Sequence, residues 1–212
     1  MKIRRAACLV AVSTVFLSGV AMAAEPPALN CATPQESARV RDFYQANPGT
    51  MPAIAARRVN LAETKVVSSL PAAHAVSTAG KHFGDIWNVM TSWKKATFLI
   101  MKGANVFEVE SGIAPVKPSK TSQYQNIEYT QPLRGHLRPD QYASIYAVAI
   151  PGKDGAMARG VLFYDADGNS VFGAFMSGEG PTPPAEELAK FDTVMKLIRS
   201  KGAVCPATDA AL

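Results

Sequence analysis

The sequence predicts an α+β fold: N-terminal helices, a large antiparallel β-sheet running as a meander, and a C-terminal helix. Three observations predict it. Apolar residues recur at helical spacing before residue 93 and again over residues 185–200, whereas residues 96–176 break into short β-branched and aromatic runs joined by turn residues. Several of those runs are apolar on both alternating faces.

The first helix opens at Thr33-Pro34-Gln35-Glu36, with Thr as N-cap, Pro at the first helical position and Glu closing a capping box. Val40, Phe43 and Tyr44 give its stripe, and Asn47-Pro48-Gly49 stops it. Two short helices follow over residues 51–58 and 61–70, ended by Pro71. Residues 71–80 read as a loop, and residues 82–93 as a helix carrying Phe83, Ile86, Trp87, Met90 and Trp93. This helical part spans about residues 33–93.

The sheet part spans about residues 96–176. Strands are expected at 97–101 and 106–110 around a turn at 102–105, then at 124–129, with a short one at 133–137. Residues 112–122, with Pro115 and Pro118, read as a loop. Strands at 143–150, 158–164 and 171–176 complete the meander. Ile145, Ala147 and Ala149 point one way, and Tyr146, Val148 and Ile150 the other. Such a sheet must be covered twice: helices take one side, and a partner subunit, a ligand or more chain takes the other. The last helix, residues 185–200, carries Leu188, Phe191, Val194, Met195 and Ile198 and stops at Gly202.

Charge at first suggests nucleic acid: 22 Lys+Arg against 17 Asp+Glu give +5 over 212 residues, with a pI near 9.2. The start of the chain changes that. Lys2, Arg4 and Arg5 precede an uncharged run over residues 6–20 and an Ala21-Met22-Ala23 cleavage motif, the layout of a Sec-type signal peptide over residues 1–23. A single membrane anchor is the alternative, but the run falls short of the ~20 residues that span a bilayer. Cleavage after Ala23 removes three basic residues and no acid, leaving residues 24–212 as one domain of net charge +2 with no nucleic-acid footprint. The mature chain is then expected in the periplasm or secreted, without stable membrane insertion. Cys8 leaves with the leader. Cys31 and Cys205 remain, expected as a disulfide that ties both ends of the mature chain, with two free thiols as the alternative.

Enzyme signatures are missing: no G-x-S-x-G, P-loop, H-E-x-x-H, C-x-x-C or dinucleotide fingerprint is present, nor C-x-x-C-H for covalent haem. Asp165-Ala166-Asp167-Gly168-Asn169 resembles a calcium loop but lacks the required Gly and bidentate Glu, so it reads as a hairpin turn. His and Met remain as soft ligands. His136, in Leu133-Arg134-Gly135-His136-Leu137, lies between strands beside a cation, where a neutral imidazole suits iron and Arg134 suits a carboxylate.

The order of several short motifs then becomes informative. Asp42-Phe43-Tyr44 to Asn47-Pro48-Gly49-Thr50, Phe83-Gly84-Asp85-Ile86-Trp87-Asn88, Val106-Phe107-Glu108-Val109, Tyr124-Gln125-Asn126-Ile127, Gly135-His136-Leu137 and Leu162-Phe163-Tyr164 together resemble the haem-utilisation carrier family, over about residues 40–195. The resemblance implies an α+β fold, a homodimer, and binding and transfer of non-covalent haem b after uptake. It implicates two histidines. One is His136; the other position, at the end of the strand after the tryptophan helix, is Met101 here. A His/Met pair is an axial set that raises haem potential, and core packing is the other reading of Met101. The shape of haem nominates Trp87, Phe98 or Phe107 as apolar wall, Lys102, Lys117 or Arg134 for propionates, and His82, then His74, as reserve ligands. The family is cytosolic, so export shifts the expected role to envelope haem handling beside uptake components. The segment at residues 177–180 also departs from the family pattern. Two alternatives stay open: a haem-degrading enzyme, as in larger duplicated relatives, and a structural domain that lost its ligand.

Overall fold

The computed structural model describes residues 30–103, 105–152, 155–177 and 183–206; the expected leader and most of the 177–180 segment lie outside them. Thr33 caps helix α1 (Pro34–Ala46) through the expected box: Oγ1 accepts from the Glu36 amide at 3.2 Å, and the Glu36 carboxylate accepts from the Thr33 amide at 2.9 Å. Helices α2 (Pro52–Val59) and α3 (Glu63–Ser68) follow. Strand β1 (Ala75–Ala79) leads through a single 3-10 turn to α4 (Phe83–Met90). A hairpin of β2 (Ala96–Lys102) and β3 (Asn105–Ser111) comes next, then three short strands, β4 (Val116–Pro118), β5 (Gln125–Ile127) and β6 (His136–Leu137). Strands β7 (Ser144–Pro151), β8 (Met157–Tyr164) and β9 (Ser170–Met176) precede the last helix, α5 (Ala185–Ser200), which stops before Gly202 at φ +88°.

The α+β class and the antiparallel sheet are as expected. The strand order is richer than a simple meander. Six strands pair in the order β1-β7-β8-β9-β2-β3, and β4-β5-β6 form a separate small sheet inserted between β3 and β7. Two expected loops contain strands. Residues 71–80 include β1, which pairs with β7 from Ala75 opposite Val148 to Ala79 opposite Ser144. Its small and hydroxylated residues carry little strand signal, and it is drawn into the sheet by its long-range partner. Residues 112–122 include β4, whose Pro118 sits at an edge where no amide is needed.

Both faces of the main sheet are covered by this chain's own helices. Ile145, Ala147, Val161, Phe163, Phe172 and Ala174 meet α4 and α5 in one core. Tyr146, Val148, Ile150, Leu162, Tyr164 and Phe175 meet α1–α3 in the other. More chain, rather than a partner or ligand, supplies the second cover over the strands at the middle of the sheet. Aromatic rings dominate the α4 side: Phe163 stacks on Phe172 with centroids 4.5 Å apart, and Trp87 lies 5.3 Å from Phe83.

Cys31 and Cys205 form the expected disulfide, with Cα atoms 5.5 Å apart and a separation of 174 positions in sequence. The bridge fastens the entry to α1 and the exit from α5 across β1, the strand at one edge of the sheet. Beside it the Val204 amide donates to Ser77 Oγ at 3.3 Å, and the Tyr146 hydroxyl donates to the Cys205 sulfur at 3.2 Å. The paired substitution Cys31→Ser/Cys205→Ser should cost about 2–5 kcal/mol of unfolding free energy. Urea titration of the oxidised parent and the variant measures it, and equal midpoints would contradict a stabilising bridge.

Candidate functional site

The small sheet presents His136. Trp87 anchors its approach by donating Nε1–H to the Ala114 carbonyl at 2.9 Å. The Glu128 amide bonds Pro115 O at 2.9 Å, and the Leu133 amide bonds Ser111 Oγ at 3.0 Å. Ile127 is buried and Leu137 packs against the α4-side core, so one face of the small sheet is fixed to the body. The opposite face carries a cross-strand row, Lys117 opposite Asn126 and Asn126 opposite His136.

Within that row Asn126 Oδ1 lies 2.7 Å from His136 Nδ1. An amide oxygen only accepts, so the ring proton sits on Nδ1 and the lone pair is left on Nε2 of an exposed ring. Tyr124 stands edge-on to the imidazole at 5.9 Å. Arg134 lies over the Tyr129 ring at 4.9 Å and Arg138 over Tyr124 at 5.5 Å. Arg138 also holds Asp140 in a bidentate pair at 2.8 and 2.6 Å, which keeps that carboxyl well below the usual range. The patch thus offers a directed imidazole nitrogen, two exposed phenols and several cations.

Met101 is elsewhere. Along β2 the side chains alternate: Phe98 belongs to the α4-side core, while Leu99 packs with the core under α1–α3. Met101, two residues beyond Leu99, shares its face and lines a cleft between α2 and the sheet. An inner chamber of about 250 Å³ is walled by Met51, Ile54, Leu99, Val106 and Phe175, with Glu63 and Glu108 also in its lining. It adjoins an outer chamber of about 780 Å³ with Arg57, Lys102 and Asp165 at its wall. Arg57 spans the rim by donating to the Gly103 carbonyl at 2.7 Å, in a hairpin turn where Gly103 takes φ +60°. Met101 and His136 therefore lie on different faces of the main sheet.

The other expected residues divide as follows. Trp87 and Phe98 are fully buried in the core and present no wall to a ligand, because the aromatic stripe of α4 packs on the sheet. Phe107 is 56 % exposed. Lys117 lies on the His136 face and pairs with Glu128 at 2.6 Å. His82 opens α4 near Asp85, and His74 Nδ1 is held to the Ala149 carbonyl at 2.8 Å. Asp165 Oδ1 accepts from the amides of Asp167 and Asn169, the hairpin turn expected there, and no metal-holding group occurs among the described residues. Asn126, Tyr124 and Tyr129 acquire roles that the sequence did not reveal, since only the β5–β6 pairing sets Asn126 opposite His136.

Glu63 was also missed. It lines both chambers of the cleft, and burial pushes its carboxyl from 4.5 up to about 7, against the pull of Arg57 and with a push from Asp165. Nearby, the buried Tyr44 and Tyr164 hydroxyls lack hydrogen-bond partners among the described residues. A folded-state value raised above the unfolded one means that stability is greatest below pH 4.5 and is lost as pH rises through about 7. Glu63→Gln should therefore raise the melting temperature by about 2–4 °C at pH 8 and leave it unchanged near pH 4.5. Thermal melts at the two pH values check this, and a gain of equal size at both would contradict it.

Comparison with known proteins finds relatives of this chain and of its fold. The family model described as haem utilisation ChuX/HutX matches residues 76–194. The intracellular heme transport protein HutX of Vibrio cholerae is 23% identical over 161 residues, covering 74% of this chain and 81% of that protein. A solved structure from Agrobacterium tumefaciens is 26% identical with a TM-score of 0.66, covering 78% of this chain and 92% of that one. The heme-binding protein ChuX shares the fold at 17% identity and a TM-score of 0.65, over 76% of this chain and 99% of that one. The fold also recurs in the heme-degrading enzyme ChuS of Escherichia coli O157:H7, at 16% identity and a TM-score of 0.58, over 74% of this chain and only 47% of that protein. With its sheet, its α4 and most of its last helix inside the matched span, this chain belongs to the haem-utilisation ChuX/HutX family.

Proposed function

We propose that this protein is an exported carrier or store of haem in the cell envelope, holding haem b without covalent attachment through His136 Nε2. The observation that carries the reading is the hydrogen bond between His136 Nδ1 and Asn126 Oδ1, which orients the exposed ring and leaves Nε2 for the iron. Family membership supports haem as the ligand. Arg134 and Lys117, close to His136 in the chain and in the cross-strand row, suit the propionates. Cys31 and Cys205 are tied to each other, which supports non-covalent binding. Export is supported by the leader-like residues 1–23 and agrees with a disulfide-bonded mature chain. Assembly as a homodimer and transfer to envelope uptake components complete the proposal.

Hemin titrated into the purified mature protein should give a saturable Soret shift. His136→Ala should weaken binding at least tenfold, and Asn126→Leu, which frees the ring to turn, about 10–100-fold. An unchanged titration for His136→Ala would remove it as the ligand. The likeness to ChuS keeps haem degradation as the second reading; Soret loss with reductant and oxygen, resistant to catalase, would select it. Failure of the wild-type protein to bind hemin at all would select a structural domain without ligand. Fractionation with N-terminal sequencing checks the leader, with Ala24 expected as the first residue of the envelope form.

A further inference from the structure

We propose that the cleft between α2 and the sheet binds a small amphipathic organic cation, with an ammonium group held by Glu63 and Glu108 and a compact apolar body in the inner chamber. The site is separate from His136 and does not depend on the haem reading.

Charge sorts the two chambers. The inner one is lined mostly by apolar side chains, and Glu63 and Glu108 are the charged residues of that lining, with no cation beside them among the described residues. The outer one is mixed: Arg57 and Lys102 share its wall with Asp165, and Glu63 stands at the junction. Two of these groups are already engaged. Arg57 donates to the Gly103 carbonyl, and Asp165 Oδ1 accepts from two backbone amides. The outer chamber is thus a nearly neutral entrance, and the inner one favours positive charge. A bare metal ion does not suit it, since no metal-holding group occurs among the described residues. The cation is therefore an organic one.

Glu63 is an acceptor left open by the packing. It lies half-buried at the start of α3, and its side chain makes no hydrogen bond or ion pair among the described residues. The buried hydroxyls of Tyr44 on α1 and Tyr164 on β8 feel its charge and also lack partners there. A carboxylate shut away like this costs stability until a donor reaches it, and burial keeps a large share of it protonated at neutral pH. An ammonium group arriving through the cleft supplies both the donor and the opposite charge. Glu108 faces the same space from β3, opposite Leu99 in the hairpin register, exposed and without an ion pair among the described residues. Volume sets the apolar part of the ligand. An apolar cavity of ~150 Å³ holds a benzene ring, so a chamber of about 250 Å³ takes one ring with a short ammonium arm. Ile54 and Val106, 46 % and 51 % exposed, belong to the lining and are covered by that ring.

The test uses the mature protein with 2-phenylethylamine as the probe, and with 2-phenylethanol and 3-phenylpropionate as neutral and anionic controls. Calorimetric titration should show saturable binding of the amine, about tenfold or more tighter than of either control. The ammonium favours the ionised carboxyl, so binding at pH 6 should release about one proton per ligand and binding at pH 8.5 about none. Titration in two buffers of different ionisation enthalpy reads that release. Glu63→Gln should weaken the amine about tenfold or more and abolish the release, and its melting temperature shows that it is folded. Glu108→Gln should weaken the amine and keep the release, while His136→Ala should change neither. No saturable amine binding, phenylpropionate bound as tightly as the amine, undiminished affinity in Glu63→Gln, equal proton release at the two pH values, or loss of amine binding in His136→Ala would each overturn the proposal.

Discussion

The main sheet is apolar on both faces, and most of the architecture follows from the need to keep both out of water. Strand β7 is buried along nearly its whole length, with neighbouring side chains sent alternately into the two cores. One layer of helices cannot satisfy that pattern. The chain divides its helices, placing α1–α3 on one face and α4 with α5 on the other, and it crosses between faces by way of the sheet edge at β1. The β2–β3 hairpin extends to the limit of this cover. Its far end keeps Val106 and Phe107 exposed.

The small sheet is a consequence of the same arrangement. It is too short to be stable alone, and Ile127, Leu137 and the Trp87–Ala114 hydrogen bond fasten it to the α4-side core. Its other face is left free to be polar, and there an asparagine opposite a histidine sets the direction of one nitrogen lone pair. The tryptophan that looked like part of a ligand wall serves instead to hold the platform on which the strand carrying His136 rests. Packing and chemistry are joined at that hydrogen bond.

Much of this was legible in the sequence, where the signal was local. The capping box at Thr33, the stripe of α5, the turn at Asp165 and the two faces of β7 all depend on residues within a few positions of one another, and each appears where its pattern indicated. Strand β1 was not legible. Its Val76-Ser77-Thr78 core has weak alternation, and only pairing with β7, some seventy residues later, makes it a strand. The separation of β4-β5-β6 into a second sheet is equally non-local. At the candidate site His136 and Arg134 stood out by their neighbours, whereas Asn126 gains meaning only from register. The opposed positions of Met101 and His136 could be half read. Alternation assigns Met101 to the face of Leu99, but nothing near it in sequence says which helices cover that face.

The bridge between Cys31 and Cys205 has a temporal meaning as well as a structural one. Its two sulfurs belong to residues 174 apart, so it cannot close until nearly all of the described chain has been made. The sheet between them is long-range in its pairing and slow to assemble by comparison with local helices. Closure is therefore a record of completion: a molecule carrying this bond has brought its first helix and its last together around the finished edge. A chain halted before residue 205 carries Cys31 without its partner, so the bond separates finished molecules from unfinished ones.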